Sequence, residues 1–235
     1  MNKGFERLDN IYKHHADRYQ QMVAREDYEG HLLPAIKRLV DLEGITVVEF
    51  GAGTGRLTRL LAPHVQLIRA FDLNRPMLDE AEKVLAADGL DNYTLTPADS
   101  RDIPLGDDLA DLAIAGWTLS MLTSEYEDGW REPMEQAVRE MKRVTKPEGS
   151  VIIIETLGTG KTDPEPPSER LADYYRWLET EQGFTRNWIR TDYEFDSVEQ
   201  AEDLIRFFFA DLADWVKEQG SPIVPECTGL WHRRV

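Results

Sequence analysis

The chain has 235 residues, enough for one α/β domain with a large core. Hydrophobic residues make up 41% and charged residues 30%, which excludes a disordered or membrane-embedded composition. With 44 acidic against 27 basic residues the net charge is −17, which disfavours DNA, bulk RNA and anionic membranes as partners; solubility is the plain account of the charge.

In chain order, residues 1 to about 40 read as helical, a cap over a cleft or a sheet edge; they mix charges of both signs and carry no secretory apolar stretch. Thr46 to Phe50 is a β-branched, apolar strand. Arg56 to Val65 reads as a helix, with Leu57, Leu60 and Leu61 on one face, and Leu67 to Phe71 as a second strand. Pro76 suits the first turn of a helix whose apolar stripe is Met77, Leu78, Ala81, Val84 and Leu85. Tyr93 to Thr96 and Leu112 to Trp117 are strands three and four. Glu132 to Val144 is a helix ended by KPEG, and Ser150 to Thr156 is strand five. A proline-rich loop, a helix over Leu171 to Glu181 and a strand over Phe184 to Phe195 follow. Ser197 caps a long helix, Val198 to Glu218, and Cys227 to Arg233 is the last strand.

Strands alternating with helices imply a doubly wound, Rossmann-like α/β fold: a mostly parallel seven-stranded sheet, helices on both faces, and an antiparallel last strand. The expected organisation is a single domain over residues 1–235. Its parts are an N-terminal helical cap at 1–40, a cofactor-binding core at 41–157, and a substrate cap with closing strands at 158–235. The one cysteine, Cys227, excludes an internal disulfide and a Cys-based zinc cluster, and a cytoplasmic protein is expected.

The first strand ends in VVEFGAGTGRL, with Gly51, Gly53 and Gly55 on alternate positions. A dinucleotide site needs G-x-G-x-x-G, and here the third glycine comes one residue early, which lowers the dehydrogenase reading. A second glycine turn, GTGKT at Gly158 to Thr162, resembles half a phosphate-binding loop. The position of that motif's first glycine holds Glu155, and the DPEPP that follows cannot open a helix cleanly. It reads as a loop.

EFGAGTGRL resembles the first motif of class I S-adenosylmethionine-dependent methyltransferases. FDLN, PADSRDIPL, DLAIAGWTLSML and MKRVTKPEGSVIIIE resemble the motifs that follow in that family, in the same order, over roughly residues 45 to 156. IRTDYEF and PECTGLW resemble segments of small, largely uncharacterised methyltransferases, a likeness that names no acceptor. The resemblance implies that S-adenosyl-L-methionine is the cofactor and that a methyl group is moved to an acceptor. Because that cofactor carries no phosphate, the turn at Gly51, Ala52, Gly53 and Gly55 has only to let the backbone come close. By the family pattern Glu49 reaches the cofactor's ammonium, Asp72 accepts from the ribose hydroxyls, and Asp99 with Ser100 meets the adenine. Leu73 and Met77 wall the adenine, or Met77 simply packs its helix. Ala115, Gly116 and Trp117 line the methionine end.

Methyl transfer is an in-line displacement that needs alignment and, for some nucleophiles only, a general base. No catalytic base stands out: His14 and His15 tempt, yet each reads better as a polar residue on a helix surface. No metal is expected, since the histidines show no ligand spacing. Tyr12 and Tyr19, seven residues apart, share a helix face that either closes over the methionine carboxylate of the cofactor or packs into the core. The C-terminal aromatics, Tyr175 among them, together with Arg190 and Trp117, are candidates for an acceptor pocket, with core filling as the alternative for many of the rings. The expected partner is a small-molecule acceptor, with neither DNA nor membrane, and a homodimer is left open. Two further readings stand beside this one: an RNA- or protein-modifying methyltransferase, and a non-catalytic S-adenosylmethionine-binding module.

Overall fold

The computed structural model describes residues 3–235, without the side chains of Lys3 and Asp211; the first two residues of the expected cap lie outside it. Three helices lead in: α1 (Lys3–His14), α2 (Ala16–Val23) and α3 (Leu32–Leu39). The alternating core follows: β1 (Thr46–Phe50), α4 (Arg56–Leu61), β2 (Leu67–Asp72), α5 (Arg75–Ala87), β3 (Tyr93–Pro97), β4 (Ala110–Gly116), a short α6 (Ser120–Glu125), α7 (Arg131–Val144) and β5 (Thr145–Thr159). The chain then runs through α8 (Glu169–Thr180), β6 (Thr185–Arg190), β7 (Tyr193–Glu194), α9 (Val198–Phe209), α10 (Ala213–Gln219), β8 (Ile223–Val224) and β9 (Glu226–Arg234). None of the described helices is long and apolar enough to cross a membrane.

The main sheet has seven strands in the order β3-β2-β1-β4-β5-β9-β6. All run parallel except β9, which is antiparallel to β5 and β6 on either side. The strand order reverses at β1 and β4, and the glycine turn leaves β1 there, at the switch point where doubly wound sheets bind ligands. One face packs α3, α4 and α5 through Ile36, Leu61, Leu78 and Ile114. The other packs α7 and α8 through Met134, Met141, Tyr174 and Trp177. A third cluster joins α2 to α9 and α10 through Met22, Val23, Tyr193, Ile205 and Val216.

Four expectations change. The helix expected to run to Val65 ends at Leu61, and a tight turn, Ala62–His64, carries Pro63. Strand five, expected over Ser150 to Thr156, runs from Thr145 to Thr159: Thr145 pairs with Ala110 directly after α7 ends at Val144, and the Glu148 N–H donates to the Val235 carbonyl. The strand expected over Phe184 to Phe195 is broken at Thr191 and Asp192. Thr191 is fully buried and its hydroxyl meets Glu26 and Thr228, while Asp192 accepts from the Glu226 N–H, so β7 leaves the main sheet and pairs with β8. The long helix after Ser197 breaks at Ala210 (φ 10°, ψ −64°). The break lets α10 turn back and bury Ala213 and Val216 in the cluster around Tyr193, burial a straight helix would not reach.

Candidate functional site

A cleft of about 410 Å³ opens at the carboxyl ends of β1, β2 and β4. Its floor is the turn after β1. Gly51 and Gly53 hold φ of +68° and +56°, a conformation that suits glycine. A Cβ on Gly51 would lie 2.1 Å from the Thr118 hydroxyl oxygen, so the approach of the turn to the loop after β4 depends on its absence. At Gly53 a Cβ would meet only ordinary contacts, the nearest at 3.6 Å on Met77. Gly55 (φ +84°) does another job: it lies against Ala81 and Leu85 of α5 and does not line the cleft.

Two carboxylates anchor this floor. Asp72, at the end of β2, accepts from the Gly53 N–H at 2.9 Å with one oxygen and from the Asn74 N–H at 2.7 Å with the other. Burial raises its pKa, opposed by those two backbone donors. Each oxygen keeps a further lone pair for a ligand. Glu49 sits in β1, 1% exposed, and its only hydrogen bond among the described residues comes from the Thr58 hydroxyl at 2.5 Å. Burial pushes its carboxyl up to about 8, with the Thr58 bond opposing and Asp72 adding to the rise.

The remaining wall comes from both sides. Asp99 and Ser100 line the cleft, and Asp99 is held by Arg101 through Nε at 2.8 Å and Nη2 at 2.5 Å, which lowers its pKa. Leu73 is 68% exposed at the rim, while Met77 is buried. Gly116 and Trp117 line the end of β4. Trp117 keeps a left-handed backbone (φ +51°), unusual for a bulky residue, and its ring lies 3.7 Å from the Arg56 guanidinium carbon.

Helices α1 and α2 form the roof. Tyr12 and Tyr19 meet edge to face at 5.5 Å, and the Tyr12 hydroxyl reaches the Met121 sulfur at 4.0 Å. The Thr54 hydroxyl donates to Gln20 at 2.5 Å, which joins α2 to the glycine turn. The roof is tied to α9 and the loop before it: Arg18 pairs with Asp203 at 2.7 Å, and Arg25 with Asp196 at 2.6 Å.

The structure therefore brings eleven of the thirteen expected cofactor residues to one cleft: Glu49, Gly51, Ala52, Gly53, Asp72, Leu73, Met77, Asp99, Ser100, Gly116 and Trp117. Ala115 is fully buried beneath it, and Gly55 packs the helices. Of the expected acceptor residues Tyr12, Tyr19 and Trp117 line the cleft, but Tyr175 and Arg190 do not. Tyr175 is 2% exposed, stacks on Trp231 at 4.6 Å and donates to the Thr156 carbonyl. Arg190 lies on β6, beyond β5 and β9, in an ion pair with Asp192. The α8 aromatics fill the core instead of a pocket. Sequence reading passed over Phe5, Arg56, Thr118 and Met121, which also line the cleft. Arg56 follows the glycine turn directly and so carried a signal; Met121 sits on α6, too short to show a helical period.

Residues 48–153 match the family model described as a methyltransferase domain. This core is therefore similar to a methyltransferase domain. Curated relatives of the methyltransferase domain include a demethylmenaquinone methyltransferase of Halalkalibacterium halodurans, 27% identical over 160 residues, 64% of this chain and 60% of that one. A ubiquinone/menaquinone biosynthesis C-methyltransferase of Hahella chejuensis is 30% identical over 117 residues, 48% of this chain and 43% of that one. The chain thus spans about half the length of these relatives. A SAM-dependent methyltransferase from Aquifex aeolicus shares the fold, with a TM-score of 0.55 at 20% identity over 98% of this chain and 97% of that one.

Proposed function

We propose that the protein is an S-adenosylmethionine-dependent methyltransferase acting on a small-molecule acceptor. The observation that carries the reading is the convergence of Glu49, Asp72 and the Gly51–Gly53 backbone on one cleft at the strand switch point. The group fits the residues: a Cβ-free floor at Gly51, two carboxylates with free acceptor capacity, and a rim of Leu73 and Asp99. When bound, the cofactor supplies a methyl group on a positively charged sulfur. Glu49 faces its ammonium, Asp72 takes the ribose hydroxyls, Asp99 and Ser100 meet the adenine edge, and Leu73 with Met77 walls its ring. Tyr12, Tyr19 and Trp117 close the acceptor side and exclude water.

The division of labour follows the chain: α1 and α2 roof the cleft while α3 packs on the sheet, 41–157 hold the cofactor, and the rest closes the sheet and braces the roof. A small acceptor is favoured by the roofed cleft and the chain's net charge of −17, which suits no polyanion. The rings of Tyr12, Tyr19 and Trp117 suit a flat apolar molecule, in keeping with relatives named for demethylmenaquinone and ubiquinone/menaquinone biosynthesis. The test is incubation with methyl-deuterated cofactor and a metabolite extract, read by mass spectrometry. Label is expected in low-mass products. Label confined to RNA or protein overturns the acceptor class, and a cofactor bound but never turned over makes the domain a binding module.

A further inference from the structure

Arg56 is the cleft residue with a bonding need left open. Its Nη1 donates to Glu26 at 2.7 Å, while its Nη2 is buried and has no hydrogen-bond partner among the described residues. Two other cations line the same cleft and are taken up: Lys13 by Asp9 at 2.7 Å, and Arg101 by Asp99 and the Tyr126 hydroxyl. A buried donor left unpaired is costly, so an arrangement that keeps one points to a partner arriving with a ligand.

The surroundings fix what that partner is. Arg56 follows the glycine turn, and its guanidinium is clamped flat by the Trp117 ring at 3.7 Å. The Tyr19 ring lies over Gly53, and its hydroxyl makes no hydrogen bond among the described residues. Burial pushes that phenol up, with Arg56 the chief charge opposing the rise, so hydroxyl and guanidinium share one electrostatic neighbourhood. A planar N–H fork beside a free O–H suits a carboxylate. Glu26 already offsets the charge of Arg56, so the corner offers hydrogen bonds more than net attraction.

We propose that Arg56 and Tyr19 form a carboxylate-recognising corner at the glycine-turn end of the cleft. This rests on the methyltransferase reading above. Two ligands bring a carboxylate to that end: the amino-acid tail of the cofactor, or an anionic acceptor. The corner's role is specificity; Arg56 moves no proton.

The experiment compares calorimetric Kd values for S-adenosylhomocysteine and its decarboxylated analogue on the wild type, Arg56→Lys and Tyr19→Phe. Arg56→Lys keeps a cation beside Glu26 and removes the fork; Tyr19→Phe removes one hydroxyl and spares the fold. Wild type is expected to prefer the carboxylated ligand about 10- to 100-fold, as one or two charge-assisted hydrogen bonds predict. Both variants are expected to narrow that preference, with the analogue's own Kd little changed. Equal wild-type binding of the two ligands, together with benzoate but not benzamide stabilising the S-adenosylhomocysteine-loaded protein in an Arg56-dependent way, assigns the corner to an anionic acceptor. An unchanged preference in both variants, with no benzoate effect, overturns the corner while leaving the methyltransferase reading intact. Failure of wild type to bind S-adenosylhomocysteine at all overturns both.

Discussion

Cofactor binding should release a proton from Glu49. In the free cleft burial raises its carboxyl to about 8, so at pH 6 to 7 it is mostly protonated. An ammonium placed against it favours the ionised form. If only that form binds, affinity scales with the ionised fraction, which rises about ninefold from pH 6 to pH 7 and about fiftyfold from pH 6 to pH 8. The upper limit is set by the ligand, whose α-amino group loses its charge near pH ~8. The assay is calorimetric titration of S-adenosylhomocysteine at pH 6.0, 6.5 and 7.0 in buffers of different ionisation enthalpy. The enthalpy difference should report close to one proton released at pH 6.5. Glu49→Gln should remove both the pH dependence and the proton release, because the carboxamide cannot ionise. Affinity that is flat across this range, with no buffer dependence, would refute the pairing of Glu49 with the ammonium.

Three other outcomes follow from the same geometry. Gly51→Ala places a methyl 2.1 Å from the Thr118 hydroxyl at φ +68°, so the turn must shift; cofactor binding should fall at least tenfold, and near-wild-type binding would show that the turn is not the contact. Asp72→Asn keeps the size but turns one acceptor oxygen into a donor group that clashes with the Gly53 or Asn74 N–H; titration should show cofactor affinity down about 10- to 100-fold, and an unchanged Kd would remove Asp72 from the ribose role. Without ligand the protein should lose stability as pH rises from about 5 to 8. Burial lifts the folded-state carboxyls of Glu49 and Glu155 to about 8 and 7 and, with Glu26 beside it, raises that of Glu226, so each favours folding in its protonated form and loses that contribution as pH climbs through its folded value. A melting temperature that instead rises over this range would contradict the raised values.

The core was legible because its signals are local. The β-branched runs ending in glycine or aspartate mark strands that leave a parallel sheet at one edge, and Glu49, Asp72 and Asp99 come at the ends of successive strands. The acceptor side was not legible, because it depends on which layer a helix joins. The rings of α8 carry a stripe that fits a pocket as well as a core, and burial against Trp231 and Trp130 decides for the core. Arg190 reads as a pocket anchor only until the order β5-β9-β6 carries it away from β4. The breaks at Thr191 and Ala210 come from tertiary burial, of Thr191 against Glu26 and of Val216 against the Tyr193 cluster, which no local period encodes. Trp117 is a further case: the sequence places it at the methionine end of the site, but its left-handed backbone and its stack on Arg56 carry no local signal.

The central claim is that the glycine turn serves a phosphate-free adenosine cofactor. The most direct measurement is the melting temperature of the protein with S-adenosylhomocysteine and, separately, with NADH. Saturation at a hundredfold the Kd stabilises a folded protein by about 2.7 kcal/mol, a shift of a few degrees for a domain of this size. The account predicts that shift with S-adenosylhomocysteine and none with NADH; stabilisation by NADH alone would contradict it.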